Sequence, residues 1–338
     1  MNITVVIPIY KTPLDLLRNS VASALSIRGA KVILVVDSPG DPSEEYASKL
    51  VKQYPQVRLL VNDCNKGVSY SRNRGLDAVD TEWLTFLDAD DEVDSKVYDE
   101  GLKLAVEMSL DAIAVGGINS VEELSEQSFL LSRYNDTNSL NLLSLLRCVG
   151  MSSCSVIYRR SYIEKYNIRF STELTNNEDF LFFTKIVQNG ANLALYYANG
   201  YIQHGHPEST TRSAPMPERY FSCVKASRMV MEILKFSELQ EDVLAWYARR
   251  IIWQMTLDIG LFKILDWGQK KAYARCLKVS ASKYSECFSP VLSCYGKLLM
   301  LIFKLLPILY LLSPWFLARP MWHFRIKRLF KHKYWKSL

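Results

Sequence analysis

The chain has 338 residues, 49% hydrophobic and 22% charged, a balance that excludes disordered and collagen-like classes and fits a globular protein. Its formal charge of +6 is uneven: nine of the 41 Lys and Arg follow Glu286, the last acidic residue, leaving 32 basic against 35 acidic residues, a net −3, over residues 1–286. Seven cysteines without a C-x-x-C pair argue against a zinc site or a disulfide framework and for free thiols in a reducing cytoplasm.

The opening M-N-I-T-V-V-I-P-I-Y has no basic n-region and no long apolar core, so it is not expected to be a signal peptide. Residues 3–9 form a β-branched run that stops at a Lys-Thr-Pro turn. Residues 13–25 carry Leu14, Leu17, Val21, Ala24 and Leu25 at helical spacing, with Pro13 in a first-turn position. Strands are expected at 31–36, 57–61, 83–87 and 112–117, and helices at 43–54, 68–79 and 95–108. Strand and helix alternating at this spacing predict right-handed crossovers and an α/β, mostly parallel, mixed sheet flanked by helices. The stretch 121–146 is polar, then helical, and hard to place. A strand at 155–160, a helix at 177–189 and a strand at 193–197 follow, and residues 218–285 read as helical throughout.

The strand W-L-T-F-L at 83–87 runs straight into Asp88, Asp90 and Asp91. In open α/β sheets ligands bind outside the carboxyl ends of the strands, and clustered hard carboxylates there suit Mg²⁺ or Mn²⁺. A solvated acidic turn is the plainer alternative. Asp37 also follows a strand end, where a turn or cap role is the alternative. The run N-K-G-V-S-Y-S-R-N-R-G at 65–75 places Gly67 where backbone can approach a ligand closely, at a helix N-terminus that favours anions. Arg74 reads as a solvated helix residue and Asn73 as a brace for the loop. Glu178 and Asp179 open a helix, a position that favours acids for its own sake. His204 and His206 form an H-x-H pair, weak evidence of a metal site.

Five motifs in order, V-V-I-P-I-Y, V-V-D at 35–37, the 65–75 run, D-A-D-D at 88–91 and N-E-D-F at 177–180, resemble glycosyltransferase family 2. The resemblance covers residues 1–215 and implies a GT-A, Rossmann-like fold and inverting transfer from a UDP-sugar. It implies that Pro8 and Tyr10 line the nucleotide crevice, that Asp37 accepts a hydrogen bond from uracil, and that Arg72 lies near the uridine and diphosphate. In the D-A-D of Asp88, Ala89 and Asp90, it implies that Asp90 ligates Mg²⁺ or Mn²⁺ and that Asp88 contacts the ribose or a metal-bound water. Asp91 is then a supporting residue or the cap of the next helix. Asp179 becomes the general base, oriented with the acceptor by Glu178. His206 approaches the metal or diphosphate, with Ser209 and Arg212 near the phosphates. The run Asp37-Ser38-Pro39-Gly40 departs from the family's D-D-G-S.

This reading divides the chain into a catalytic domain at 1–215, with a nucleotide-binding half at 1–117 and an acceptor half at 118–215, a helical extension at 216–294 and a tail at 295–338. The tail holds the apolar stretch 298–318, interrupted by Lys304, Pro307 and Pro314, then mixes aromatic residues with cations. That pattern predicts peripheral attachment to the inner, anionic face of the cell membrane. A helix packed on the protein, or a dimer seam in a homo-oligomer, is the alternative. No nucleic-acid recognition motif is present. The expected activity is metal-dependent transfer of a sugar to a hydroxyl of a lipid-linked glycan in surface polysaccharide synthesis. A nucleotidyltransferase would usually show a Gly-rich phosphate loop near the N-terminus, which is absent, and intact Asp88, Asp90 and Asp179 count against a non-catalytic sugar-nucleotide binder.

Overall fold

The computed structural model describes residues 2–116, 129–132, 146, 152–196, 198–204, 217–235, 239, 241–255 and 266–305. Chain order begins β1 (Ile3–Ile9), α1 (Leu14–Leu25), β2 (Ala30–Val36), α2 (Pro42–Gln53), β3 (Val57–Val61), α3 (Val68–Asp77), β4 (Trp83–Phe86), β5 (Glu92–Val93), α4 (Ser95–Glu107) and β6 (Ala112–Ala114). It continues with β7 (Phe129–Ser132), β8 (Val156–Arg159), α5 (Arg160–Lys165), α6 (Glu178–Gln188), β9 (Leu193–Tyr196) and β10 (Tyr201–Ile202). The helices α7 (Pro217–Leu234), α8 (Glu241–Met255), α9 (Trp267–Phe288) and α10 (Cys294–Leu305) follow.

Eight strands form one sheet in the order β3-β2-β1-β4-β8-β6-β9-β7. The pairs β1–β2, β2–β3 and β1–β4 are parallel, so Ile9, Val36 and Phe86 end on the same edge. Strand β1 lies in this block with Ile3, Val5, Val6, Ile7 and Ile9 buried, because helices cover both faces and its near-continuous apolar run leaves no solvent side. Strand β8 runs antiparallel to both β4 and β6, and β7 antiparallel to β9, which makes the sheet mixed. A strand apolar on both faces, such as V-I-Y in β8, carries no mark of its direction. The reversal of β8 brings its N-terminal end beside the carboxyl end of β4.

Two features go beyond the expected elements. The two-residue strands β5 and β10 pair antiparallel, tying the chain after the acidic turn to residues 201–202. Strand β7 falls within the stretch 121–146, which reads as polar, then helical, and hard to place. Asp94, and not Asp91, caps α4, its carboxylate accepting from the Lys96 and Val97 amides.

The chain divides into two compact units, one of residues 1–173 and 178–212, the other of residues 174–177 and 213–338. The second unit packs its helices around Val224, Tyr247, Ile251, Tyr284 and Phe288, and the Tyr284 hydroxyl donates to the Ala248 carbonyl at 2.8 Å.

Helix α3 can lie close against the sheet because of Gly75. A Cβ there would come within 2.3 Å of Val6 Cγ1 and 3.3 Å of Val35 Cγ2. Gly75→Ala is therefore expected to destabilise the fold by about 1–3 kcal/mol through overpacking. Urea denaturation checks it: an unchanged midpoint would mean that the helix and sheet are not in this contact.

Candidate active site

The first part of the site is the loop between β3 and α3. Asp37, at the end of β2, is buried. Its Oδ1 accepts from Asn62 Nδ2 at 2.7 Å and from the Lys66 amide at 2.8 Å, and its Oδ2 accepts from the Gly67 amide at 2.8 Å. Gly67 has φ of 87°, a left-handed conformation suited to glycine, which turns its amide toward Asp37. Asp37 thus clamps the loop, and this clamp engages both of its carboxylate oxygens. Arg74 is half-buried instead of solvated, donating through Nη1 to Asn62 Oδ1 and the Val61 carbonyl, both at 2.6 Å.

Helix α3 then delivers Arg72 into the protein. Its guanidinium Nη1 donates to Glu178 Oε1 at 2.9 Å and Asp179 Oδ1 at 3.1 Å, and Nη2 donates to Asp88 Oδ1 at 2.8 Å. The side chain is 4% exposed, and its charge lies 5.3 Å from the centre of the Phe170 ring. Phe170 stacks on Phe182 at 4.0 Å and meets Phe86 edge-on at 5.1 Å. Asn73 fixes that ring by donating to the Phe170 carbonyl and accepting from its amide, both at 2.9 Å. The cation and its carboxylates therefore sit on an aromatic floor that water does not solvate.

Third is the turn after β4. The Leu87 amide donates to the Val6 carbonyl at 3.0 Å, holding the turn at the sheet edge, and Ser20 Oγ donates to the Asp88 carbonyl at 3.1 Å. Asp91 is buried and accepts from the Tyr201 hydroxyl at 2.6 Å and the His204 amide at 2.7 Å. Burial pushes its carboxyl up to about 6 despite those donors. Asp91 therefore ties the acidic turn to β10. Ala89 is buried, Asp90 half-buried, and Asp88 keeps 38% of its side chain exposed.

Among the described residues, no group of three or more His, Cys, Asp or Glu side chains is gathered for a metal. Asp88 Oδ1 is taken by Arg72 and approached by Cys154 Sγ at 3.6 Å, while no described residue bonds Oδ2. Asp90 and this second oxygen of Asp88 are hard donors. So small a set fits a divalent cation such as Mg²⁺ or Mn²⁺ that fills its shell with water and phosphate oxygens.

Helix α6 brings Glu178 and Asp179 in its first turn. Asp179 Oδ1 accepts from Ser153 Oγ at 2.6 Å as well as from Arg72. Burial pushes the Asp179 carboxyl up to about 7, and Glu178 and Asp88 push the same way, against the pull of Arg72 and the Ser153 hydroxyl.

The structure thus joins Arg72, Asp88, Glu178 and Asp179 in one bonded cluster. Arg72, expected near uridine and diphosphate, is committed to these carboxylates. Pro8 lies half-buried in β1, and Tyr10 is 48% exposed just beyond it, with Lys11 Nζ 5.4 Å from its ring centre. His204 Nε2 lies 2.9 Å from Glu92 Oε1. His206, Ser209 and Arg212 lie outside the described residues. Sequence reasoning missed Asn62, Ser153 and Cys154. The run Ser152-Ser153-Cys154-Ser155 ahead of an apolar strand was the available signal for the last two.

Comparison with known proteins gives this geometry a family. The glycosyl transferase family 2 model matches residues 4–166. YibD of Escherichia coli (strain K12), an uncharacterized glycosyltransferase, is 30% identical over 221 residues, 62% of this chain and 63% of that protein. The succinoglycan biosynthesis protein ExoO of Rhizobium meliloti (strain 1021) is 26% identical over 226 residues, again 62% of this chain and 63% of the relative. The chain therefore matches less than two thirds of the length of either relative. The crystal structure of S. aureus TarS 1–349 in complex with UDP superposes with a TM-score of 0.68 at 16% identity, over 91% of this chain and 88% of that one. At that identity the likeness is one of fold, and the fold is the expected GT-A arrangement. Residues 4–166 thus match glycosyl transferase family 2, and the relatives support a family 2 glycosyltransferase.

Proposed function

We propose that the protein is an inverting glycosyltransferase that moves a sugar from a UDP-sugar to a hydroxyl of a lipid-linked glycan during surface polysaccharide synthesis. The observation that carries this reading is the buried Arg72 bridge, which joins Asp88 of the strand-end acidic turn to Asp179 at the start of α6. A donor diphosphate at the strand ends and an acceptor hydroxyl at Asp179 would then flank one centre. The UDP bound to the TarS structure supports a uridine nucleotide donor, and the succinoglycan role of ExoO supports a polysaccharide acceptor.

In this reading Asp179 Oδ2 takes the acceptor proton, the acceptor oxygen attacks the anomeric carbon from the face opposite the diphosphate, and the nucleoside diphosphate departs. One base suffices for such a displacement. Glu178, 11% exposed, shares Arg72 with Asp179 and orients the base. Asp37 holds the 62–67 loop in place beside the donor. A divalent cation held by Asp90 and Asp88 would supply positive charge to the diphosphate.

The C-terminal helix bears on the acceptor. Leu298, Leu301 and Leu305 of α10 are 54%, 48% and 63% exposed, and Lys297 and Lys304 are exposed beside them. At 100° per residue these five share one face, with the lysines along one side. No described helix is long and apolar enough to cross a membrane. The face supports attachment of the protein to an anionic membrane from the cytoplasmic side, where a lipid-linked acceptor would be at hand.

Asp179→Asn is expected to lower transfer by at least about 10²-fold, the contribution typical of a positioned base, while UDP binding with Mn²⁺ is kept. Near-normal turnover by this variant would remove Asp179 from the role. In the wild type, kcat/KM is expected to rise with pH through about 7 as Asp179 loses its proton. Because the folded-state value lies above the unfolded one of 3.8, the stability this group contributes is full below that pH and is lost as pH rises through about 7. A flat rate profile from pH 5.5 to 8.5 contradicts the assignment. Replacing Leu298, Leu301 and Leu305 together with Glu should abolish co-sedimentation with phosphatidylglycerol vesicles; undiminished sedimentation would show that this face does not meet lipid.

A further inference from the structure

Strand β8 runs antiparallel to β4, with Leu84 opposite Tyr158 and Trp83 opposite Arg159. Extending that register past Phe86 puts the residues before β8 beside Asp88, and Cys154 Sγ indeed lies 3.6 Å from Asp88 Oδ1. Two buried tyrosines hold this segment rigid. The Tyr158 hydroxyl donates to the Ser153 carbonyl at 3.2 Å, and the Tyr98 hydroxyl donates to the Cys154 carbonyl at 3.0 Å. The Ser152 hydroxyl accepts from the Cys154 amide at 3.3 Å. Ser153 itself is fully buried, and its Oγ lies 2.6 Å from Asp179 Oδ1.

An ionised carboxylate can only accept, so the Ser153 hydroxyl is the donor in that state. Oδ1 then receives two hydrogen bonds, one from Ser153 and one from Arg72 Nη1, and no described residue bonds Oδ2. The Asp179 side chain retains 29% of its surface. A carboxylate pinned through one oxygen by two donors of different origin has a fixed plane and one oxygen left to accept a proton.

We infer that Ser153 is a positioning residue for the transfer reaction: with Arg72 it locks Asp179 through Oδ1, so that Oδ2 meets the acceptor hydroxyl. The inference rests on Asp179 being the base. Ser153 is neutral, so it steadies the ionised form without adding charge, whereas Arg72 is shared with Glu178 and Asp88. The groups facing Asp179 are the Arg72 cation, the Glu178 and Asp88 carboxylates, the Cys154 thiol and the Tyr158 hydroxyl. Burial pushes the last two well above their usual ranges, so they stay neutral near pH 7. The two carboxylates favour protonated Asp179, so the loss of Ser153 leaves Arg72 alone to oppose them.

Ser153→Ala in the full chain should therefore move the rising limb of the pH–kcat/KM profile upward by about one pH unit, the worth of a charge-assisted hydrogen bond. The assay is Mn²⁺-dependent hydrolysis of whichever UDP-sugar the wild type turns over, and Ser153→Thr should restore the profile. A Ser153→Ala profile lowered at every pH with an unmoved midpoint overturns the inference and leaves a packing role. Asp179→Asn separates the two readings: if it is inactive while the Ser153→Ala profile matches the wild type, only the positioning role fails. If Asp179→Asn stays active, the base assignment fails first. A readout independent of turnover is the fall in Tm between pH 5 and pH 8, which should be larger in Ser153→Ala than in the wild type and equal in Asp179→Asn with and without Ser153→Ala. Equal falls in the wild type and Ser153→Ala would also overturn it.

Discussion

A buried guanidinium with three carboxylates is the constraint on which the rest of the structure depends. Arg72 is 4% exposed and cannot shed its charge, so it must be compensated where it lies. Removing one partner of such a buried set costs on the order of 3–5 kcal/mol, because an uncompensated charge is left behind. Its three partners come from two places in the chain: Asp88 in the turn after β4, and the consecutive Glu178 and Asp179 at the start of α6, more than 100 residues from Arg72. In bringing these together the fold builds the candidate site.

The reversed strand β8 is how the fold meets that constraint. Had it run parallel to β4, its N-terminal end would lie at the far edge of the sheet, and Ser153 and Cys154 could not reach Asp179 and Asp88. The aromatic floor of Phe86, Phe170 and Phe182 completes the arrangement from below. It excludes water, which strengthens each hydrogen bond of the cluster and raises the cost of any group left unpaired. Asn73, through its two bonds to the Phe170 backbone, fastens that floor to the same helix that carries Arg72.

Much of this was legible in the residues alone, for identifiable reasons. An apolar run that stops at an acid, as at Val36-Asp37 and Leu87-Asp88, marks a strand end at which something polar is needed, and both acids lie at the same sheet edge. What those acids bond to was not legible. Asp37 spends its oxygens on two loop amides and Asn62, and nothing in V-V-D announces backbone partners thirty residues on. The direction of β8 was hidden because a doubly buried strand has no polar face to orient it. Ser153 was hidden because small polar residues without a period look like any loop. Asp91 reads as either a supporting residue or the cap of the following helix; Asp94 takes the cap, and Asp91 supports the turn by reaching β10, whose two residues are too few to show a strand pattern.

The compensation each carboxylate receives sorts them by role. Asp37 has both oxygens bonded, and Asp91 has a donor on each oxygen together with a carboxyl pushed up to about 6; both are structural clamps. Glu178 is bonded to Arg72 and 11% exposed, which suits a charge that orients and does not react. Asp88 and Asp179 differ from these. Each has one oxygen tied to Arg72 and one that no described residue bonds, and each keeps about a third of its side chain accessible, 38% and 29%. Burial first, and then the Glu178 and Asp88 carboxylates, hold Asp179 up to about 7 against the pull of Arg72, since one guanidinium cannot balance three carboxylates. A cationic or proton-bearing ligand would meet the remaining charge. The two accessible oxygens therefore lie on either side of one buried cation, which ties the electrostatics of Asp88 to those of Asp179.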